Sequence, residues 1–153
     1  FDANLKLMPP LRGEEDRKAL INGINDGTID CIVSDHNPQS PEHKVVEFNY
    51  SPFGAITLQL VFSLYNQFLS NYISLDTFVK TTSQNPRTIL NLPLSKIEEK
   101  IKANLSDFDT HQEWEFNSKT NQSLSSNSHL MGTKLKGKCV FIINNHLSTH
   151  LES

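Results

Sequence analysis

The stretch CIVSDHNPQSPEHK, Cys31 to Lys44, decides how the rest of the chain is read. An apolar run, Cys31-Ile32-Val33, stops on an adjacent carboxylate and imidazole, Asp35 and His36, and a proline follows at 38. A short run that is apolar on both faces is typical of a strand covered on both sides in a parallel sheet. Just upstream, GEEDRKALINGINDG (13–27) predicts a helix. Glu14, Glu15 and Asp16 suit the positive end of its dipole, Leu20, Ile21 and Ile24 recur at helical spacing, and Gly27 supplies the stop. Before that, Ala3–Met8 predicts a strand closed by Pro9-Pro10, which cannot continue a ladder. Strand, helix and strand with short connections make a βαβ unit.

Downstream, the segment from Asp35 to Ser51 is polar and loop-like. Phe53–Phe68 predicts one long apolar helix with Ile56, Leu60, Ser63, Leu64 and Phe68 on one side. SLDTFVKTTSQNPRTILNL (74–92) predicts two short helices, the first capped by Ser74 and the second opened at Pro86. From about Leu92 the character changes, and the segments 101–116 and 134–147 read as strands. The Ser/Asn-rich stretch between them, NSKTNQSLSSNSHLMG (117–132), reads as a flexible surface loop. An α/β part over residues 1–92 is therefore expected, followed by an all-β part over 93–153.

Composition narrows the function classes. The 153 residues are 37% apolar and 20% charged, enough for one domain with a real core. A formal net charge of −3 without a basic stripe argues against nucleic acid. No apolar run approaches the roughly 18 residues that span a bilayer. The opening Phe1-Asp2-Ala3-Asn4 is not a secretory leader, and Cys31 and Cys139 read as buried free thiols, so a cytoplasmic protein is expected. The chain opens without methionine and close to its first predicted strand, which suggests the C-terminal part of a longer protein.

Asp35 is the chemical candidate. A carboxylate at the C-terminal end of a barrel strand can bind a divalent metal or take a proton from water; an Asp after a strand is also a common turn former and helix cap. His36 reads as a hydrogen-bonding residue rather than a ligand. None of the six histidines shows HxH or HExxH spacing, so the chain cannot assemble a metal shell alone.

PPLRGEEDRKALINGINDGTIDCIVSDHNPQSPEHK (9–44), SPFG (51–54), TSQNPRTILNL (82–92), IKANLSDFDT (101–110) and LKGKCVFIINN (135–145), in that order, resemble the C-terminal part of dihydroorotases of the amidohydrolase superfamily. The resemblance runs from about Asn4 to Asn145. It implies the last strands and helices of a (β/α)8 TIM-type barrel, with Asp35 ending strand eight, and then strands of a small composite β-sandwich. It implies a cytosolic zinc enzyme, with one or two ions held mostly by residues upstream, that reversibly cyclises N-carbamoyl-L-aspartate to dihydroorotate in pyrimidine synthesis. Asp35 would contact the metal and shuttle the proton, and the backbones of Phe53 and Gly54 would hold the substrate. Arg12 is either a substrate carboxylate clamp or, as preferred here, a structural residue of its loop.

The departures from the family fall at the site. Met8 stands where the family usually carries a substrate-touching asparagine. Gln39 stands for the last histidine of Asp-His-Ala-Pro-His, which binds the substrate carboxylate; its neutral amide forgoes a charge-assisted bond worth roughly 1 kcal/mol or more. Gln59 stands where a glutamate is usual. An active dihydroorotase, a homo-oligomer among its possible states, is the leading reading. A non-catalytic subunit assembling with aspartate transcarbamoylase and a sister allantoinase or hydantoinase are the alternatives. On every reading the isolated 153-residue chain is expected to be inactive.

Overall fold

The structure, a computed structural model, describes residues 1–144 and 147–150. The end of the family resemblance at Asn145 lies outside the described residues.

Helix α1, Glu14–Asp26, forms as expected: three acidic residues fill its first turn and Gly27 closes it at φ 83°. The two strands expected around it are absent. At the N-terminus Asp2 accepts from the Asn4 N–H (2.9 Å) and starts a short 3-10 turn, Ala3–Leu5, in place of the strand Ala3–Met8. The Ile29–Val33 run carries no ladder. It is tied by single bonds, Ile29 N–H to Gly23 C=O (2.8 Å) and Ile32 N–H to Thr81 C=O (3.1 Å). A strand exists only within a ladder, and among the described residues this run has none; the nearby His36 makes an isolated parallel bridge to Ala55.

The long helix expected over Phe53–Phe68 begins later and is not uniform. Residues 53–57 are irregular, with Ala55 bridged to His36; a 3-10 turn, Leu58–Leu60, leads into α3, Val61–Leu64, and a π turn, Tyr65–Leu69. The wider π turn shifts the helical register. Ile56, Leu60 and Ser63 are buried as expected, but Phe68 is turned outward and Tyr65 takes the inner position. The one-turn helix α2 is Pro41–Lys44. Helix α4, Leu75–Val79, is capped by Ser74, whose side chain accepts from the Thr77 N–H. A second π turn, Lys80–Gln84, joins it to α5, Asn85–Ile89, which has proline in its first turn.

The expected β character of the C-terminal part is present as an antiparallel three-stranded sheet in the order β1 (Asn104–Phe116), β2 (Thr133–Asn144), β3 (Leu147–His150). Two apolar clusters hold the molecule together. Ile21, Phe62, Tyr65, Ile73 and Phe78 join α1 to the 61–79 helices, with Tyr65 and Phe78 stacked at 4.0 Å. Ile56 and Leu60 pack with Phe116 and Leu135, so the helical and β parts share a core. The seam is closest at Gly137, where a Cβ would lie 2.9 Å from Asn66 Nδ2. There the Ser63 hydroxyl donates to Gly137 C=O, and Trp114 Nε1–H reaches the same carbonyl at 3.0 Å.

Two expectations fail in this region. The cysteines are free, but both are half-buried rather than buried. The 117–132 stretch is no loose surface loop: Ser125, Asn127 and Ser128 are buried. Its polar side chains are used internally, which composition does not reveal.

Burial pushes the Cys139 thiol above its ordinary 9.0, with a backbone hydrogen bond at Phe141 opposing and Asp107 adding repulsion. A folded pKa above the unfolded one gives stability that is present below pH 9 and lost as pH rises through the folded value. Thermal melts from pH 8 to 11 should therefore show the wild type losing stability above about pH 9, with Cys139→Ala less sensitive. Parallel wild-type and variant profiles would show that the thiolate carries none of that loss.

Candidate active site

Exposure alternates along 33–37: Val33, Asp35 and Asn37 face out, Ser34 and His36 lie partly covered. Asp35 and His36 are therefore neighbours in sequence with opposite duties. His36 Nδ1 accepts from the Thr57 N–H (3.0 Å) and the Leu58 N–H (3.1 Å). These donors stand at the start of the 58–60 turn, where no helical carbonyl can satisfy them. Accepting on Nδ1 requires the ring proton on Nε2. Thr57 completes the junction by donating its hydroxyl to Ser34 C=O at 2.6 Å. Asp35 sits at φ 47°, a left-handed conformation that Asp tolerates. Its exposed carboxylate makes no hydrogen bond or ion pair among the described residues.

Gly54 is buried at φ 123°, and a Cβ there would lie 2.5 Å from Asn37 Nδ2. Both conditions require glycine. Its N–H donates to Lys6 C=O (3.0 Å), which ties this loop to the segment carrying Met8, itself 56% exposed. Phe53 C=O accepts from Asn37 Nδ2 (3.3 Å) and Gln39 Nε2 (3.4 Å). Gln39 Nε2 also donates to Asn37 Oδ1 at 2.9 Å, so its amide is engaged within the loop. Arg12 is exposed and makes no ion pair among the described residues.

Two lysines stitch the loop from below. Lys6 Nζ donates to Phe48 C=O (2.8 Å) and Asn49 C=O (2.9 Å) and lies 5.1 Å from the Phe53 ring centroid. Lys44 Nζ donates to Pro52 C=O (2.8 Å) and Ala3 C=O (3.0 Å). Burial holds the Lys44 ammonium below the usual lysine range, and Lys6 adds repulsion.

The sequence reading missed the contribution of the 117–132 stretch. Asn127 Nδ2 donates to Asn37 C=O and Gly54 C=O, both at 3.1 Å, and its Oδ1 accepts from the Gln39 N–H at 3.1 Å. The Ser125 hydroxyl touches both Gln39 C=O and Asn127 Oδ1, and its one hydrogen serves one of them. These contacts lie 73 to 90 positions apart in the chain, and no local pattern announces them.

Gln59 also reaches this stretch: Nε2 donates to Thr120 C=O (2.7 Å) and Oε1 accepts from the Gln122 N–H (2.9 Å). A glutamate could keep the second bond but would set a carboxylate against the Thr120 carbonyl. Gln59→Glu is expected to lower stability by about 1–2 kcal/mol, near the low end for a lost donor at an exposed site. A denaturant midpoint equal to wild type would show that the bridge contributes nothing.

No group of three or more His, Cys, Asp or Glu that could hold a metal is found among the described residues. Asp35 fits one position of such a site, as an oxygen donor without a competing partner. His36 Nδ1 does not, being occupied by two amides.

No family model matches the chain. Its fold is similar to stretches of solved hydantoinases and of a dihydroorotase. An L-hydantoinase (dihydropyrimidinase) from Arthrobacter aurescens superposes with a TM-score of 0.79 at 20% identity, over 97% of this chain and 36% of that one. A dihydroorotase from Campylobacter jejuni superposes at 0.64 and 17% identity, over 91% and 38%. In sequence the chain is a relative of the dihydroorotases, as the ordered motifs imply. It is 37% identical over 147 residues to the dihydroorotase of Caldicellulosiruptor saccharolyticus, 95% of this chain. The chain spans about a third of the length of the curated relatives it matches. No helix among the described residues is long and apolar enough to cross a membrane.

Proposed function

We propose that the whole protein is a zinc-dependent dihydroorotase, a cyclic amidohydrolase interconverting N-carbamoyl-L-aspartate and dihydroorotate in pyrimidine biosynthesis in the cytoplasm. The observation that supports this most is identity of 37% sustained over 95% of the chain to proteins of that name. In this reading residues 1–92 form the last strands and helices of the barrel, and 93–153 form the C-terminal segment of a β-sandwich. The segments 3–8 and 29–33 would become barrel strands only against partners in the rest of the protein.

Asp35 is proposed as both a metal ligand and the group that holds and returns the reacting proton. Its free carboxylate and outward position support that role. The 37–39 and 53–54 loops bind the ring, with Phe53 and Gly54 presenting backbone and Gln39 an amide in place of a charged group. Met8 approaches from the adjoining segment with no polar contribution. Zinc, one or two ions with most ligands outside these residues, would supply Lewis-acid polarisation of the ring carbonyl. The small-molecule substrate and a homo-oligomeric enzyme belong to the same reading.

A second reading is a non-catalytic subunit assembling with aspartate transcarbamoylase, favoured by Met8 and by a Gln39 amide already spent within its loop. A sister activity, on hydantoin or allantoin, is favoured by the hydantoinase neighbours. Zinc per subunit and ring opening of dihydroorotate, hydantoin and allantoin, measured on one preparation of the full-length protein, separate the three. Stoichiometric zinc with dihydroorotate turnover is expected. Neither zinc nor turnover would replace the enzyme with the assembly subunit, and turnover confined to another ring would replace the substrate. The isolated 153-residue chain should be inactive in the same assay, since its described residues bring no three potential metal ligands together.

A further inference from the structure

We propose that Asn127 is the positioning residue of the substrate loops, acting through the backbones of Gln39 and Gly54; this rests on the dihydroorotase reading above. Asn127 is 4% exposed and every polar atom of its carboxamide is used. The two Nδ2 hydrogens go to Asn37 C=O and Gly54 C=O, and Oδ1 receives the Gln39 N–H. Its own backbone carbonyl accepts from the Ile56 N–H at 3.1 Å. One side chain thus bridges the loop after Asp35 and the loop containing Phe53 and Gly54.

The chemistry admits asparagine and little else. Aspartate keeps the acceptor but turns a carboxylate toward two carbonyls; serine reaches neither loop fully, and glutamine carries an extra methylene into a buried site. Ser125 adds the complementary grip, since its hydroxyl lies against Gln39 C=O while Asn127 holds Gln39 N–H. Gln39 is therefore held at the peptide groups on both sides of its Cα, which sets where its side chain starts. Asn127 does not touch Asp35, so its loss should weaken substrate binding more than the chemical step.

The test is made on the full-length protein with Asn127→Ala, Asn127→Asp and Ser125→Ala, reading steady-state kinetics, zinc content and amide hydrogen exchange. For both Asn127 variants KM for dihydroorotate should rise about tenfold or more, with kcat within about threefold, a split that partial unfolding would not produce. The Gln39 amide should lose protection while β1 and β2 amides keep theirs. An unchanged KM in a folded Asn127 variant overturns the proposal. Should those variants fail to fold, Ser125→Ala decides: a KM raised about threefold supports the proposal and an unchanged KM overturns it. A wild-type protein without dihydroorotate turnover sinks the functional reading instead. Exchange then judges the clamp alone, and equal Gln39 protection in wild type and variants overturns it.

Discussion

Asp35→Asn in the full-length protein should cut dihydroorotate ring opening by about 10²–10⁴-fold, the usual contribution of a positioned proton-transfer group. The substitution isolates that contribution well. Asn is nearly isosteric, and it tolerates the left-handed φ of 47° about as readily as Asp. The Asp35 carboxylate is exposed and makes no hydrogen bond among the described residues, so no folded-state contact is lost. Stability of the metal-free protein should therefore match wild type, and a fall in kcat at unchanged zinc content can be assigned to proton transfer. Asp35→Ala would confuse the two, because alanine is strained at positive φ. A wild-type kcat in Asp35→Asn, with an unchanged unfolding midpoint, would remove Asp35 from the mechanism.

The largest effect on stability is expected at Phe116. The ring is 1% exposed, packs with Ile56, Leu60 and Leu135, and meets Trp114 edge-on at 6.0 Å. Phe116→Ala should cost about 3–5 kcal/mol, the lost transfer energy plus a cavity that the surrounding strands cannot close. Ile56 lies two residues after Gly54, so the loss should reach the loops as well as the sheet. A urea titration reads it directly; a midpoint shift worth less than about 1 kcal/mol would mean the cavity collapses and the shared core is softer than its burial implies.

Local chemistry was readable where local chemistry decides the outcome. Helix α1 follows from three early acids and a closing glycine, and α4 from the Ser74 cap. The β character of 104–116 and 133–144 follows from short apolar runs without a helical period. The missing ladders at 3–8 and 29–33 could not be read from residues suited to strands, because a strand exists only with its neighbours. The π turns at 65–69 and 80–84 carry no glycine or proline to mark them. At the site, His36 as a hydrogen-bonding residue rather than a ligand was legible from residue type and order. Asn127 was not: a serine- and asparagine-rich stretch looks the same whether its amides face water or carbonyls 73 to 90 residues away.

The core shared by Ile56, Leu60, Phe116 and Leu135 has a mechanical consequence. The connection between the helices and the sheet, residues 91–102, is exposed throughout and regular nowhere, an open target for a protease. A cut there severs the polypeptide without separating the pieces, because what joins them is the buried seam of Phe116, Leu135 and Gly137 rather than the peptide bond. The two fragments should migrate as one particle under native conditions and come apart only in denaturant. Covalent continuity across the junction is dispensable, and the polypeptide can in principle be supplied as two genes.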